Sequence, residues 1–208
     1  MSSANRFDSK AKEWDEKPVR VEISTRFSQM VKEHMVLTKE VNAMEFGCGT
    51  GLVSFNLYDM LGNIAMVDDS DGMMEVLSEK MEAFNVSNMT RCLGDIFEMS
   101  LPRAGYDLIY TMMALHHVPN TEGVINCFYN LLKPGGVLCI GDLVEEDGTF
   151  HDDACEVHYG FNTVDLQTML EHVGFSVEVN DVMHIMQKTT DDGSPREFPL
   201  FFIKAVKA

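Results

Sequence analysis

From residue 41 onward the chain alternates short apolar runs with amphipathic stretches, and this alternation narrows its fold more than any other feature. Residues 41–46, 64–67, 89–93, 106–112 and 137–142 read as strands. Residues 51–61 read as a helix stopped by Gly62, and 71–84 as a helix with Met73, Leu77, Met81 and Phe84 on one face. Thr121 can cap a third helix, with Val124, Phe128 and Leu131 inward and Lys133, Pro134, Gly135 and Gly136 at its end. Strands joined through helices form parallel sheets with right-handed crossovers. The last part differs. After a helix over 163–172, ended by Gly174, extended runs at 175–186 and 199–206 are joined by a loop rich in Asp, Gly and Pro at 191–195. A loop without a helix can join only antiparallel neighbours. The expected fold class is therefore α/β: a doubly wound sheet, mostly parallel with an antiparallel last strand, in a single domain.

The length of 208 residues suits one such domain. Residues 1–40 are expected to form an N-terminal helical cap segment, and 41–208 the ligand-binding domain. Phe7, Ala11 and Trp14 stand at helical spacing in a polar stretch, as in a short docked helix. Pro18 suits the first turn of a second helix, where Ile23, Phe27, Met30, Val31 and His34 follow a 3.6-residue period.

Glu45, Phe46, Gly47, Cys48, Gly49, Thr50 and Gly51 lie between the first strand and its helix. Glycines allow a tight turn and the close approach of a ligand to the backbone. Ligands on such sheets sit beyond the strand ends, at the switch point. Asp68 ends the second strand, where a carboxylate can accept both ribose hydroxyls; Asp69 and Ser70 can meanwhile cap the next helix. Gly94, Asp95 and Ile96 follow the third strand, where an acid can accept from an adenine amino group and an isoleucine can pack on the ring. A dinucleotide site prefers G-x-G-x-x-G. Here the spacing is G-x-G-x-G with an acid two residues ahead, which sits poorly beside a diphosphate but well beside a cationic sulfonium. A nicotinamide oxidoreductase is disfavoured on the same grounds.

These segments, with Tyr106 to Tyr110 and Leu131 to Gly136, occur in an order that resembles class I S-adenosylmethionine-dependent methyltransferases, notably the small-molecule branch called type 11 or 12. The resemblance spans roughly residues 41–206 and implies a Rossmann-like sheet with one antiparallel strand. It implies S-adenosylmethionine as cofactor and S-adenosylhomocysteine as product. Gly47, Gly49 and Gly51 would shape the loop around the amino-acid and ribose parts, with Cys48 contributing backbone and Glu45 helping to hold the cation. Asp68 would bind ribose. Asp69 and Met73 would lie near the adenine, and Asp95 and Ile96 would close its pocket. Thr111 and Met112 would sit near the methionyl end. Phe7-Asp8 and Trp14-Asp15 are similar to a cap segment found in part of the family.

Methyl transfer is an in-line displacement, and a base is needed only where the nucleophile starts protonated. His117 follows the fourth strand at the ligand edge, beside His116. The segment 142–161 follows the fifth strand and carries His151 and His158, with Asp142 or Glu145 as orienting carboxylates and Phe150, Tyr159 and Phe161 as pocket walls. His117, His151 and His158 are the candidate catalytic residues; the competing reading of 142–161 is a solvated acidic loop. Its His and Asp spacing matches no metal pattern, so no metal is expected.

Asp and Glu number 33 against 16 Lys and Arg, a formal net charge of -17. Such a surface repels phosphate backbones, so neither nucleic acid nor an anionic membrane is an expected partner. A neutral or cationic small-molecule acceptor is. The alternatives are a protein methyltransferase of the same fold, with an open acidic groove, and a non-catalytic S-adenosylmethionine-binding module. The sequence shows no oligomeric state. Five cysteines without a C-x-x-C pair read as reduced thiols, and with no hydrophobic signal core or membrane-length apolar run the expected location is cytoplasmic.

Overall fold

A computed structural model describes residues 7–151, 158–189 and 193–208. The strands are β1 (Ala43–Phe46), β2 (Ile64–Asp68), β3 (Met89–Leu93), β4 (Tyr106–Met112), β5 (Leu132–Leu143), β6 (Phe175–Thr189) and β7 (Pro195–Lys207). The helices are α1 (Pro18–His34), α2 (Asp71–Ala83), α3 (Thr121–Leu131) and α4 (Thr163–Val173). The seven strands form one sheet in the order β3-β2-β1-β4-β5-β7-β6. Pairs among β1 to β5 are parallel, whereas β7 lies between β5 and β6 and runs against both.

Alternation along the strands feeds a core on each face. Leu108, Tyr110, Cys139 and Phe202 pack with Ile23, Phe27 and Val31 of α1 and with Met74 and Leu77 of α2. Ile109, Leu138, Ile140, Phe201 and Ile203 pack on the other face with Val124 and Phe128 of α3 and Leu166 and Leu170 of α4. Among the described residues no helix is long and apolar enough to cross a membrane. Cys48, Cys92, Cys127 and Cys139 are free thiols; Cys155 lies outside the described residues.

Several expectations are corrected. Residues 51–61 form turns around a short 3-10 helix, Ser54–Asn56, and not a regular helix. Side chains compete for its backbone: Glu45 accepts from the Ser54 amide at 3.2 Å, while the Asn88 amide group donates to the Tyr58, Leu61 and Gly62 carbonyls. Val53, Leu57 and Leu61 are nonetheless buried. Asn120, not Thr121, caps α3 by accepting from the Gly123 amide at 3.0 Å. Phe84 leaves the apolar face of α2 and is exposed, because Asn85 turns the chain at φ 54°. The segment around Pro134 and Gly135 is an irregularity within the β4–β5 pairing rather than a turn before it. The closing hairpin is longer than expected at both strands.

Candidate active site

A cavity of about 450 Å³ lies beyond the ends of β1, β2 and β4. The chain runs from β1 outward to β2 on one side and returns to β4 on the other, so this is the switch point of the sheet. The size falls in the range of small-molecule sites.

Its floor is the loop after β1. Gly47 has φ +64°, and a Cβ there would stand 2.2 Å from the Ala114 Cβ, in the loop after β4. Only a residue without a side chain lets the two loops meet. Gly47→Ala is expected to cost about 1–3 kcal/mol through overpacking and about 1–2 kcal/mol through the left-handed backbone. A lowered urea midpoint, partly restored by adding Ala114→Gly, is the expected reading. An unchanged midpoint in the single variant would show that the loops part freely.

Asp68, at the end of β2, ties the wall together. Its Oδ2 accepts from the Gly49 amide at 2.7 Å and its Oδ1 from the Ser70 amide at 2.9 Å. A carboxylate has about four acceptor positions, so capacity remains for a ligand hydroxyl. Burial pushes Asp68 above the usual carboxylate range, opposed by these two amides. Asp69 is also raised by burial. Glu45 is 3% exposed and its carboxyl is pushed up to about 8 by burial; the Ser54 amide and hydroxyl oppose the rise. The Ser54 hydroxyl also meets the Tyr110 hydroxyl at 2.6 Å, which closes a buried polar chain.

Glu45, Asp68, Asp69 and Asp95 thus give the wall four carboxyl groups. Among the described residues, Arg20 alone supplies a fixed positive charge to it, and its guanidinium lies 3.4 Å from the centroid of the Trp14 ring. The balance favours a cationic ligand and disfavours a diphosphate. The exposed edge of Phe97, the buried Ile96 and Met73, and Met112 add the apolar part.

The N-terminal segment covers this cavity. Phe7 and Trp14 line it and meet edge to face at 5.7 Å. Asp8 accepts from the Gly72 amide at 2.9 Å and from the Ser70 hydroxyl at 2.6 Å, at the start of α2. Both bonds hold its carboxyl below the ordinary range. Asp15 accepts from the Thr50 hydroxyl at 2.5 Å and pairs with Lys80 at 2.6 Å. These contacts join residues 35 to 65 positions apart, so the sequence carried no local signal for them beyond the two aromatic-acid pairs.

Of the residues singled out from the sequence, Glu45, Gly47, Cys48, Gly49, Asp68, Asp69, Met73, Asp95, Ile96, Met112 and His117 line the cavity. Gly51 does not; it faces Leu77, Met66 and Phe55 in the core. Thr111 is fully buried and also lies outside the wall. His158 turns into the protein's own backbone, with Nε2 3.0 Å from the Val118 carbonyl and 3.3 Å from the Thr121 hydroxyl. His151 is outside the wall but packs against His117, their ring centroids 5.5 Å apart. Asp142 orients neither His151 nor His158; it is fully buried against His116, its Oδ1 2.5 Å from Nδ1. Asp152 and Asp153 lie outside the described residues. Sequence reasoning missed Arg20 as a wall residue and His116 as the partner of Asp142.

The sequence pattern of the methyltransferase domain matches residues 37–190. An uncharacterized methyltransferase of Schizosaccharomyces pombe is 31% identical over 118 residues, covering 53% of this chain and 42% of that protein. Sterol 24-C-methyltransferase of Candida albicans is 24% identical over 197 residues, covering 85% of this chain and 50% of that protein. The chain therefore spans half or less of the length of these curated relatives. A crystal structure of a SAM-dependent methyltransferase from Aquifex aeolicus superposes with a TM-score of 0.76 at 19% identity, over 97% of this chain and 98% of that one.

Proposed function

This chain belongs to the methyltransferase-domain family, and on that premise we propose that it transfers the methyl group of S-adenosylmethionine to a small acceptor. The observation that carries the reading is the carboxylate of Asp68, fixed to the Gly49 amide at 2.7 Å on the rim of an acid-lined cavity. The residues present fit the cofactor: glycines make the cradle, Asp68 has acceptor capacity for a ribose, and the excess of acids suits a sulfonium and an ammonium group.

When bound, S-adenosylmethionine supplies a methyl group on a good leaving group, so the protein has little bond-making to assist. Its residues hold and shield. Asp68 grips a diol; Asp95 and Ile96 offer an acceptor and an apolar surface to a base; Asp69 balances positive charge, joined by Glu45 when a bound cation or rising pH ionises it. Phe7 and Trp14 keep water from the opening, which strengthens every electrostatic contact within. His117 is the imidazole in the wall, suited to take a proton from an acceptor that starts protonated.

The covering segment favours a small acceptor over a protein, since a polypeptide needs an open groove. Phe7, Trp14, Ile23 and Val118 favour a neutral apolar acceptor, in keeping with the sterol named for the Candida relative. The negative charge of the chain speaks against nucleic acid and anionic membranes as partners.

Calorimetric titration with S-adenosylhomocysteine should show one site per chain. Radiolabel from the methyl donor should then pass to members of a panel of apolar alcohols and amines, and not to peptides or oligonucleotides. Absence of any uptake of either form of the cofactor by folded protein would overturn the reading. Label found on peptides would overturn the choice of acceptor.

A further inference from the structure

Two loops that the sequence keeps 34 positions apart bring three imidazoles together. His116 and His117 lie in the 3-10 turn after β4, and His151 lies in the loop after β5. One ring nitrogen from each falls within 4.8 Å of the others. The ring centroids are 4.0 Å apart for His116 and His117, 5.1 Å for His116 and His151, and 5.5 Å for His117 and His151.

His116 is held in one orientation. Its Nδ1 is 2.5 Å from Asp142 Oδ1, and its backbone amide donates to Asp142 Oδ2 at 3.1 Å. Asp142 Oδ1 also accepts from the Leu143 amide at 2.8 Å. A carboxylate accepts, so Nδ1 carries the proton and Nε2 presents a lone pair. That Nε2 is buried and has no hydrogen-bond partner, on a side chain 1% exposed. A buried polar atom left without a partner costs free energy and calls for an explanation. Protonating it offers none, since Nε2–H would be just as unpartnered. A cation would satisfy it, and a carboxylate behind an imidazole is the usual support for a metal-ligating histidine.

We propose that His116, His117 and His151 bind one divalent transition-metal ion of the zinc type, with Asp142 as the positioning residue for His116. Imidazole suits zinc, cobalt, nickel and iron, whereas magnesium and calcium want oxygen donors. Tetrahedral zinc holds its nitrogens about 2.0–2.1 Å away, hence about 3.3 Å from each other. The present spread needs a contraction of about 1.5 Å at most. Three protein ligands leave a fourth position for water or an added donor. His117 belongs both to the cluster and to the cavity wall, so an ion here borders the cavity; while it is bound, His117 is a ligand and not the base offered to an acceptor. The spacing along the sequence matched no metal pattern because the ligands come from two loops and their support from the end of a strand.

The test uses the full chain, stripped with a chelator and titrated with Zn²⁺ by calorimetry at pH 7.5. One ion per chain is expected, with no response to Mg²⁺. Co²⁺ in its place should give the visible absorption of a low-coordinate site. His151→Ala should weaken binding at least about 100-fold, and Asp142→Asn by about 10–100-fold, the usual cost of losing such support. Failure of the intact chain to bind Zn²⁺ stoichiometrically would overturn the proposal. So would full affinity in both His151→Ala and His117→Ala. Should these variants fail to fold, paramagnetic broadening by Co²⁺ in the unaltered chain decides: loss of the three imidazole resonances supports the site, and broadening confined to other histidines refutes it. Titration with S-adenosylhomocysteine in the same samples separates the claims, since either ligand can fail to bind while the other succeeds.

Discussion

Asp68→Ala is expected to reduce affinity for S-adenosylhomocysteine by about 100-fold or more. Hydrogen bonds to a charged group contribute about 1.5–3 kcal/mol each, and a carboxylate gripping two ribose hydroxyls makes two of them. The damage extends to the protein itself. The Gly49 and Ser70 amides, which donate to Asp68 at 2.7 and 2.9 Å, both lose their acceptor. A fully buried unsatisfied donor costs about 1–3 kcal/mol and these partly buried ones cost less, so the glycine loop should loosen and the urea midpoint should fall. Asp68→Asn keeps one acceptor oxygen and should be intermediate in both respects. Calorimetry paired with denaturation distinguishes the two roles. Undiminished affinity in a destabilised Asp68→Ala variant would leave Asp68 as a loop tie and remove it from the ligand.

The second large effect is a dependence on pH centred on Glu45. Burial pushes its carboxyl up to about 8, against an ordinary 4.5. Between these values the unfolded chain gives up the proton while the folded chain keeps it. The unfolded state then binds fewer protons, so the contribution of Glu45 to stability falls as pH rises through this window. Each pKa unit corresponds to about 1.36 kcal/mol, so the loss above pH 8 is a few kcal/mol, about 5 at the most. Glu45→Gln preserves shape and the acceptor for Ser54 but removes the ionisation. Its stability relative to the unaltered chain should therefore be close to zero near pH 4.5 and favourable by a few kcal/mol at pH 8.5. A bound cation favours ionised Glu45, so affinity for S-adenosylmethionine should climb from pH 6.5 to 8.5, by tenfold per unit at the steepest, and Glu45→Gln should flatten the climb. Denaturation curves at the two pH values check the first claim. A difference between the proteins that stayed constant across them would mean that Glu45 ionises normally.

The parts of this fold that were legible in the sequence are those whose information is local. β1, β2, β4 and the glycine loop announce themselves because apolar runs, backbone turns and strand-end acids sit within a few residues of each other. The direction of β7 followed from the lack of a helix after β6. The segment 51–61 misled because its apolar spacing is genuine while its hydrogen bonds are not helical. The groups that capture its carbonyls and amides, Glu45 and Asn88, come from either side of it along the chain. The grip of Asp8 on α2 and of Asp15 on Lys80 was hidden for the same reason. Thr111 and Gly51 were assigned by position in a motif, yet which side of a strand or turn a residue faces decides whether it meets a ligand. The histidines show the limit most clearly. His158 had the same sequence credentials as His151, but one bonds the Val118 carbonyl and the other joins a cluster.

The placement of β7 between β5 and β6 bears on how the chain comes to be ordered. Among the described residues β6 pairs only with β7, and β7 also covers the edge of β5 on that side. β3, β2, β1, β4 and β5 pair among themselves without β7, whereas β6 joins the sheet through β7. An unpaired edge is a template for wrong partners, so displacing β7 would open two such edges at once, one on β5 and one on β6.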